Sequence, residues 1–417
     1  MEKQNRQQVV CDFIQENYVQ NGRLRHDLIS NKVQINDGIG ASEPLNDGKM
    51  SPYWRDITTT DINDIVCDCS AESGLCITAK EVLAVLQSHR IPEVHPLRDY
   101  MQKCRAHKQG EPNWVEWLAQ QVKVEGGEEK QKLWTNCFCK WFVGMVASWM
   151  RDEVVNQQVL VLIGRQGIFK TTWLEHLLPP ALRAYGCKMA GSGTLNKDER
   201  LRIAEYGLIA LDEIDSMSVR ELNVMKSVIT ASDISERAAY GYTKERRVRL
   251  ASFCASGNKQ EFLTDLTGNR RWLPFQVESI VNPYYITLPY EEIYSSAKWL
   301  LETGYQYWFD LEEIEQLESH NADYRSQDNE EQLLDVYFDV PVEGGGVFMT
   351  TAEISEKLVT LGSIKKPLTL NRLGMVLKQA GYKSMQLSSG KRTRGWLVYE
   401  RTSDEVNARR RSHRFVE

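Results

Sequence analysis

Between Val159 and Ile163 the chain runs Val-Leu-Val-Leu-Ile, and it then reaches Gly164, Gly167 and Lys170-Thr171-Thr172. Five aliphatic residues without a polar break predict a strand buried on both faces, the kind found inside a parallel sheet covered by helices. The glycines supply a turn, and Lys170 opens a helical stretch. A turn of this kind points backbone N–H groups inward. With the positive end of the helix and one ammonium, they can cradle a phosphate chain. The usual pattern, G-x-x-x-x-G-K-[ST], has glycine just before the lysine, whereas this chain has Phe169 there. Every residue except proline can donate an N–H, so Phe169 weakens the match without abolishing it. Gly164, Gly167, Lys170, Thr171 and Thr172 are the candidate nucleotide ligands, with Lys170 on the β- and γ-phosphates and Thr171 offering its hydroxyl to Mg2+. Taken alone, the loop also fits an ordinary strand-turn-helix with an incidental lysine.

Three later segments bear on that choice. In "YGLIALDEIDS" an apolar strand ends in Asp212-Glu213, about forty residues after the loop. Ligands of open α/β sheets sit at that end of a strand. Asp212 would hold Mg2+, mostly through water, and Glu213 would orient an attacking water. "SFCASGN" is a further apolar strand, tipped by Asn258, which can hydrogen-bond the water or the γ-phosphate. In "TDLTGNRRWLPFQV", Arg270 and Arg271 stand at the entrance to another strand, placed to reach a neighbouring subunit. An arginine supplied to a neighbour's γ-phosphate can be worth ~10^3 to 10^5 in rate. Loop, acidic strand, polar-tipped strand and arginine turn come in the order of ring-forming ATPases, so Phe169 reads as a local variant of a nucleotide site.

The remainder of the 417 residues is ordinary in composition, with a net charge of -6 that argues against a protein coating nucleic acid over its whole surface. The charge is unevenly spread: Asp310–Asp335 holds ten acids against Arg325, and Ser363–Arg401 holds nine basic residues against Glu400. Nine scattered cysteines fit reduced thiols better than a disulfide framework. Cys67, Cys69 and Cys76 lack common zinc spacing and read as buried thiols. No signal-like or membrane-spanning run is visible, which leads to the expectation of a cytoplasmic location without a membrane partner.

Residues 1–130 read as a mostly helical accessory region, for oligomerisation or partner docking, with a loop around "INDGIGASEPLNDGKMS". Its helix "TAKEVLAVLQSHRI" and the tryptophans Trp114, Trp117, Trp134, Trp141 and Trp149 have core-like spacing. Residues 131–285 alternate strands and helices, as a parallel α/β core does. Residues 286–334 read as lid-like helices and an acidic connector. In 335–401, two helices precede "KSMQLSSGKRTRGWLVYE", two strands around a turn carrying Lys391, Arg392 and Arg394. This is the order of a winged helix, and a basic tail follows at 402–417.

The stretches "GRQGIFKTTWLEHLLP", "LIALDEID", "SERAAYGYTKERRVRLASFCASGNKQEFLTD" and "TGNRRWLPFQV" together resemble the virulence-associated protein E family, related to superfamily 3 helicases within the AAA+ class. The likeness covers about residues 140–280. It implies a P-loop, AAA+-like α/β core in a protein of a phage or other mobile element, acting as an ATP- and Mg2+-dependent DNA helicase or replication initiator. It also implies a homo-oligomeric ring, a hexamer by expectation, with replication proteins as further partners. Arg237 and Tyr240 match a family stretch that makes "YGYTKERRVR" similar to a channel hairpin, with Lys244, Arg246 and Arg247 gripping single-stranded DNA. Lys391, Arg392 and Arg394 would meet duplex DNA. Two alternatives stay open: an ATP-gated DNA-binding switch with little unwinding, and a non-enzymatic DNA-binding adaptor.

Overall fold

The computed structural model describes residues 5–36, 54–190, 203–236, 245–263, 269–325, 329–342, 345–362, 369–387 and 393–414. The chain forms two compact units, one of residues 1–260 with 270–320 and the other of residues 261–269 with 321–417.

The first unit is built on a six-stranded sheet. Its strands are β1 (Val122–Val124), β2 (Val159–Ile163), β3 (Gly186–Ala190), β4 (Leu208–Asp212), β5 (Ser252–Gly257) and β6 (Trp272–Ile280), in the spatial order β1-β6-β2-β5-β4-β3. β6, β2, β5, β4 and β3 run parallel, and β1 closes one edge antiparallel to β6. All five residues of β2 and all six of β5 are buried, as expected of strands with neighbours on both edges and cover on both faces. The single apolar run expected at "RVRLASFCASGN" divides. Glu245–Val248 pairs with Asp233–Glu236 as an antiparallel hairpin, and only Ser252–Gly257 enters the sheet.

Helix α1 (Gly127–Met150) carries the largest part of the core. It is buried on every side from Cys137 to Trp149, the mark of a helix enclosed by other elements. Its three tryptophans are fully buried, and each indole N–H donates to a carbonyl: Trp134 to Ala119 (2.9 Å), Trp141 to Phe253 (3.0 Å) and Trp149 to Gly207 (3.0 Å). Large apolar surface is thus buried without orphaning the one polar atom of each ring. Lys140 interrupts this apolar stretch, and its ammonium lies 2.8 Å from the Glu313 carboxylate. Among the described residues no helix is long and apolar enough to cross a membrane. The segment expected to be lid-like supplies α2 (Tyr290–Glu302), whose Ile293, Tyr294 and Ala297 lie inside the same core.

Residues 10–91 have a separate core around Val10, Ile14, Ile65, Val82 and Leu86. The helices expected there form, but so does a four-stranded sheet of Arg55–Asp56, Lys32–Ile35, Leu24–Asp27 and Glu93–Val94. These strands are two to four residues long and largely charged, too short to show an alternating pattern. The boundary drawn from sequence at residue 130 falls within α1. Most of the loop expected around residue 40 lies outside the described residues. All nine cysteines are free; Cys69 is buried, but Cys67 and Cys76 are exposed, contrary to expectation: the C-x-C pair on the helix Thr59–Ser73 points two ways, and Cys76 lies in the segment beyond that helix. Among the described residues no group of three or more His, Cys, Asp or Glu could hold a metal ion.

The second unit packs the helices Thr351–Gly362 and Leu370–Gln379 against strands Phe338–Asp339, Val347–Met349, Ser384–Leu387 and Thr393–Glu400. Ser384–Leu387 and Thr393–Glu400 form the expected antiparallel pair. Gly381 lies just past the second helix with φ +85°, the left-handed position that ends helices. Residues expected as a basic tail are instead largely the helix Ser403–Arg414. Val406 is buried, and Arg409 pairs with Asp335 at 2.7 Å.

Arg249 anchors the hairpin. It is 1% exposed and donates to the carbonyls of Ala231 (2.8 Å), Ile229 (2.6 Å), Asn156 (3.2 Å) and Ala251. Burial lowers its pKa to about 10, and these four carbonyls take four of its five N–H donors. Arg249→Met leaves several buried acceptors unpaired and is expected to cost about 3 kcal/mol or more in urea unfolding.

Candidate functional site

Parallel strands all end on the same side, so whatever follows β2, β4 and β5 converges there. After β2, Gly164 passes so close to its neighbours that an added Cβ would lie 3.0 Å from the Val277 carbonyl oxygen of β6. Gly167 has φ +85° with open space around it, so its backbone angle, not crowding, calls for glycine. Phe169 has φ +68° and ψ +17°, the left-handed conformation glycine normally supplies at this point of the loop. The loop therefore keeps the glycine-like turn with a phenylalanine in it. Lys170 to Glu175 form the helix that follows, and Thr171 and Thr172 stand in its first turn.

The Lys170 side chain folds back over the loop. Its ammonium donates to the carbonyls of Gly164 (2.6 Å) and Arg165 (2.8 Å) and lies 3.4 Å from Asn258 Oδ1. It is buried, and burial lowers its pKa, opposed by the charges of Asp215 and Asp212. Thr171 Oγ1 lies 3.2 Å from Asp212 Oδ1 and 3.1 Å from Ser256 Oγ, and Ser256 donates to the same Asp212 oxygen at 2.7 Å. Glu213 follows with φ +53° and ψ +50°, a left-handed turn that takes it out of β4's register. Gln166, Gly167, Phe169 to Thr172, Asp212, Glu213, Ser256 to Asn258 and Tyr284 line one open cleft of about 340 Å3. Lys170, Thr171, Thr172, Asp212, Glu213 and Asn258, picked out from sequence as separate pieces, meet there.

The two arginines do not. Arg270 and Arg271 lie in a single turn before β6, where Trp272 pairs with Val159 at the start of β2. The loop follows Ile163 at the other end, five residues along and roughly 16 Å away at ~3.3 Å per residue. Within one chain they stand at the opposite edge of the sheet. Of the hairpin candidates, Arg246 and Arg247 stand on the strand Glu245–Val248, with Arg247 paired to Glu205 at 3.4 Å. Arg237, Tyr240 and Lys244 lie outside the described residues, as do Lys391 and Arg392. Arg394 is exposed on Thr393–Glu400.

Sequence reasoning missed four participants. Asp215, inside the quoted "LDEIDS", accepts the Asn258 backbone N–H at 3.1 Å and fixes that tip. Ser256 sits two residues before Asn258, on the face alternation directs toward Asp212. Tyr284 comes from a turn beyond β6 with no motif around it. Lys188, on edge strand β3, holds Asp212 Oδ2 at 2.8 Å; only the β3–β4 pairing brings it there. Burial alone would raise the Asp212 carboxyl, but Lys188, Ser256 and Thr171 outweigh it and hold the pKa below 3.8. The hydrogen bond to Asp212 raises the Lys188 pKa in turn.

These elements define a mixed α/β protein whose parallel sheet carries a polar cleft at the C-terminal ends of its strands. The family model of the virulence-associated protein E-like domain matches residues 101–326, more than half of the chain, and the chain belongs to that family. Among solved structures it is similar to the apo structure of the NrS-1 C-terminal region (305–718), at 11% identity and TM-score 0.46, covering 95% of this chain and 100% of that one. An A-form apo structure of the same region has 10% identity and TM-score 0.45, with coverage of 95% and 100%. A further A form has 12% identity and TM-score 0.42, with coverage of 90% and 96%. No curated protein matches the chain.

A carboxylate held low contributes stability above its ordinary pKa and loses that contribution as pH falls through the depressed folded value. Lys188→Met should therefore move the Asp212 midpoint upward in a carboxyl 13C NMR titration and bring acid unfolding to a higher pH. A midpoint unmoved by the substitution would show that the two hydroxyls alone set it.

Proposed function

We propose that the chain is a P-loop ATPase of AAA+ type that drives DNA unwinding or replication initiation for a phage or other mobile element. The observation that carries this reading is the convergence of Lys170, Thr171, Asp212, Glu213 and Asn258 on one cleft at the C-terminal ends of β2, β4 and β5. The strand order β6-β2-β5-β4-β3 supports it, because only β5, tipped by Asn258, lies between β2 with its loop and the acidic strand β4. Loop N–H groups and Lys170 would bind the phosphate chain of ATP. Lys170, already desolvated, would exchange its carbonyl partners for β- and γ-phosphate oxygens.

Mg2+ prefers oxygen ligands and keeps several waters. The Thr171 hydroxyl and the Asp212 carboxylate, 3.2 Å apart, are donors of that kind and fit it. When bound, the ion would neutralise charge on the β- and γ-phosphate oxygens. Glu213 would orient and polarise the attacking water, and Asn258 would hydrogen-bond that water or the γ-phosphate.

Arg270 and Arg271, remote from their own loop, would act on the cleft of a neighbouring copy. Such head-to-tail contacts generate rings when the rotation closes, and a hexamer is our expectation. The hairpin with Lys244, Arg246 and Arg247 would face a channel holding one DNA strand. In the second unit, the helix-helix-hairpin order supports a winged-helix-like module that presents Lys391, Arg392 and Arg394 to duplex DNA. The Lys188–Asp212 ion pair favours one second reading, a nucleotide-gated switch, since the metal carboxylate is already neutralised within the chain.

Lys170→Ala should lower ATP turnover by on the order of 100-fold or more and abolish unwinding of a forked duplex. Glu213→Gln should keep ATP binding while losing turnover. Wild-type turnover without unwinding would favour the switch, and DNA binding indifferent to ATP would favour an adaptor. DNA affinity should fall steeply with salt, as phosphate contacts require.

A further inference from the structure

The cleft has two chemistries, and the phosphate reading uses only one. Lys170, Asp212, Glu213 and Asn258 belong to the β2, β5 and β4 side. The rings of Phe169 and Tyr284 line the cleft as well, and neither ring has a part in holding phosphate or metal. Tyr284 is 69% exposed, so core packing does not account for its ring. The backbone that carries it is nonetheless held in place. Asn282 Oδ1 accepts the Tyr284 N–H at 3.0 Å, and the Asn282 carbonyl accepts the Tyr285 N–H at 3.1 Å, which closes a turn around Pro283. The ring then stands edge-to-face with two others: Phe169 at 6.3 Å and 79°, and His176 at 6.1 Å and 80°. His176 is fixed in turn by Nδ1 donating to the Thr172 carbonyl at 2.7 Å.

From this arrangement we propose that Tyr284, backed by Phe169 and His176, is the stacking platform for the nucleobase of a bound nucleoside triphosphate. The inference rests on the nucleotide reading and adds the orientation of the ligand. Hydrolysis needs the terminal phosphate near Glu213, at the end of β4. Tyr284 follows β6, on the far side of β2 and three strand spacings from β4, or roughly 14 Å at ~4.8 Å per spacing. A phosphate chain that starts at Glu213 and crosses Lys170 therefore directs its nucleoside toward Tyr284. An exposed aromatic face at that point offers a base what water does not. Phe169 also acquires a purpose: glycine would make the turn with less strain but would leave Tyr284 with only one of its two neighbouring rings, that of His176.

Calorimetric titration of the full chain with ATP and with inorganic tripolyphosphate, both with Mg2+, tests this. Tyr284→Ala should weaken ATP binding by on the order of 10-fold and leave tripolyphosphate unaffected, while Tyr284→Phe, which keeps the ring, should retain wild-type affinity for both. Thermal unfolding of the two variants should match wild type, since the side chain is exposed. If wild type binds both ligands and Tyr284→Ala binds ATP as wild type does, the platform is wrong and the nucleotide reading stands. Equal weakening of both ligands also overturns the platform, because Tyr284 would then serve the phosphates or the loop. If wild type binds neither ligand, the nucleotide reading itself fails, and the platform with it.

Discussion

A strand with all of its side chains buried must have both faces covered and both backbone edges paired, since an unpaired buried N–H or carbonyl costs free energy comparable to a lost hydrogen bond. β2 meets that demand by lying between β6 and β5, with α1 contributing to the core of the same unit. The cleft follows from this placement. A parallel neighbour on each side means that three strand ends open onto one edge, and the loop after β2 has to turn within their reach. The carbonyl of Val277 on β6 leaves no room for a side chain at Gly164. On the other flank the tip of β5 brings Ser256 and Asn258 to Asp212 and Lys170.

Two local features of the cleft run against ordinary preference. Phe169 and Glu213 are among only three described non-glycine residues with positive φ, the third being Asn31. Both line the cleft, one next to Lys170 and the other next to Asp212. A left-handed backbone at such residues persists only where surrounding structure enforces it, and strain of this kind gathers at functional sites. The carboxylate beside this backbone is equally constrained. Asp212 takes hydrogen bonds from two hydroxyls and an ion pair from Lys188, so its charge is compensated within the chain. Lys188 comes from the edge strand, which links the outermost part of the sheet to the centre of the site.

Much of this could be read from residue order. Mainly apolar runs marked β2, β4, β5 and β6, with β2 wholly aliphatic, because burial on both faces favours apolar residues. The glycines, Lys170, Asp212-Glu213 and Asn258 could be assigned to strand ends because motif spacing sets where a turn must fall. The helices and strand pair of the second unit were visible in the same way. The short charged strands between Leu24 and Val94 were not, since two to four residues carry too little pattern. Nor was the helix Ser403–Arg414, whose content is mostly charged and whose order comes from Val406 and the Arg409–Asp335 pair.

The sequence by itself thus determined the central strands β2, β4, β5 and β6, where the glycine-bearing loop after β2 turns and which side chains stand at those strand ends. Those are local matters, settled by periodicity and by backbone demands a few residues long. Tertiary structure alone decided that Lys188 neutralises Asp212, that Tyr284 stands beside Phe169, that Arg249 secures the hairpin, and that Arg270 and Arg271 lie far from their own loop. Each depends on which strands become neighbours, and that order is fixed by covering all the apolar faces at once, a condition on the whole chain that no single stretch records.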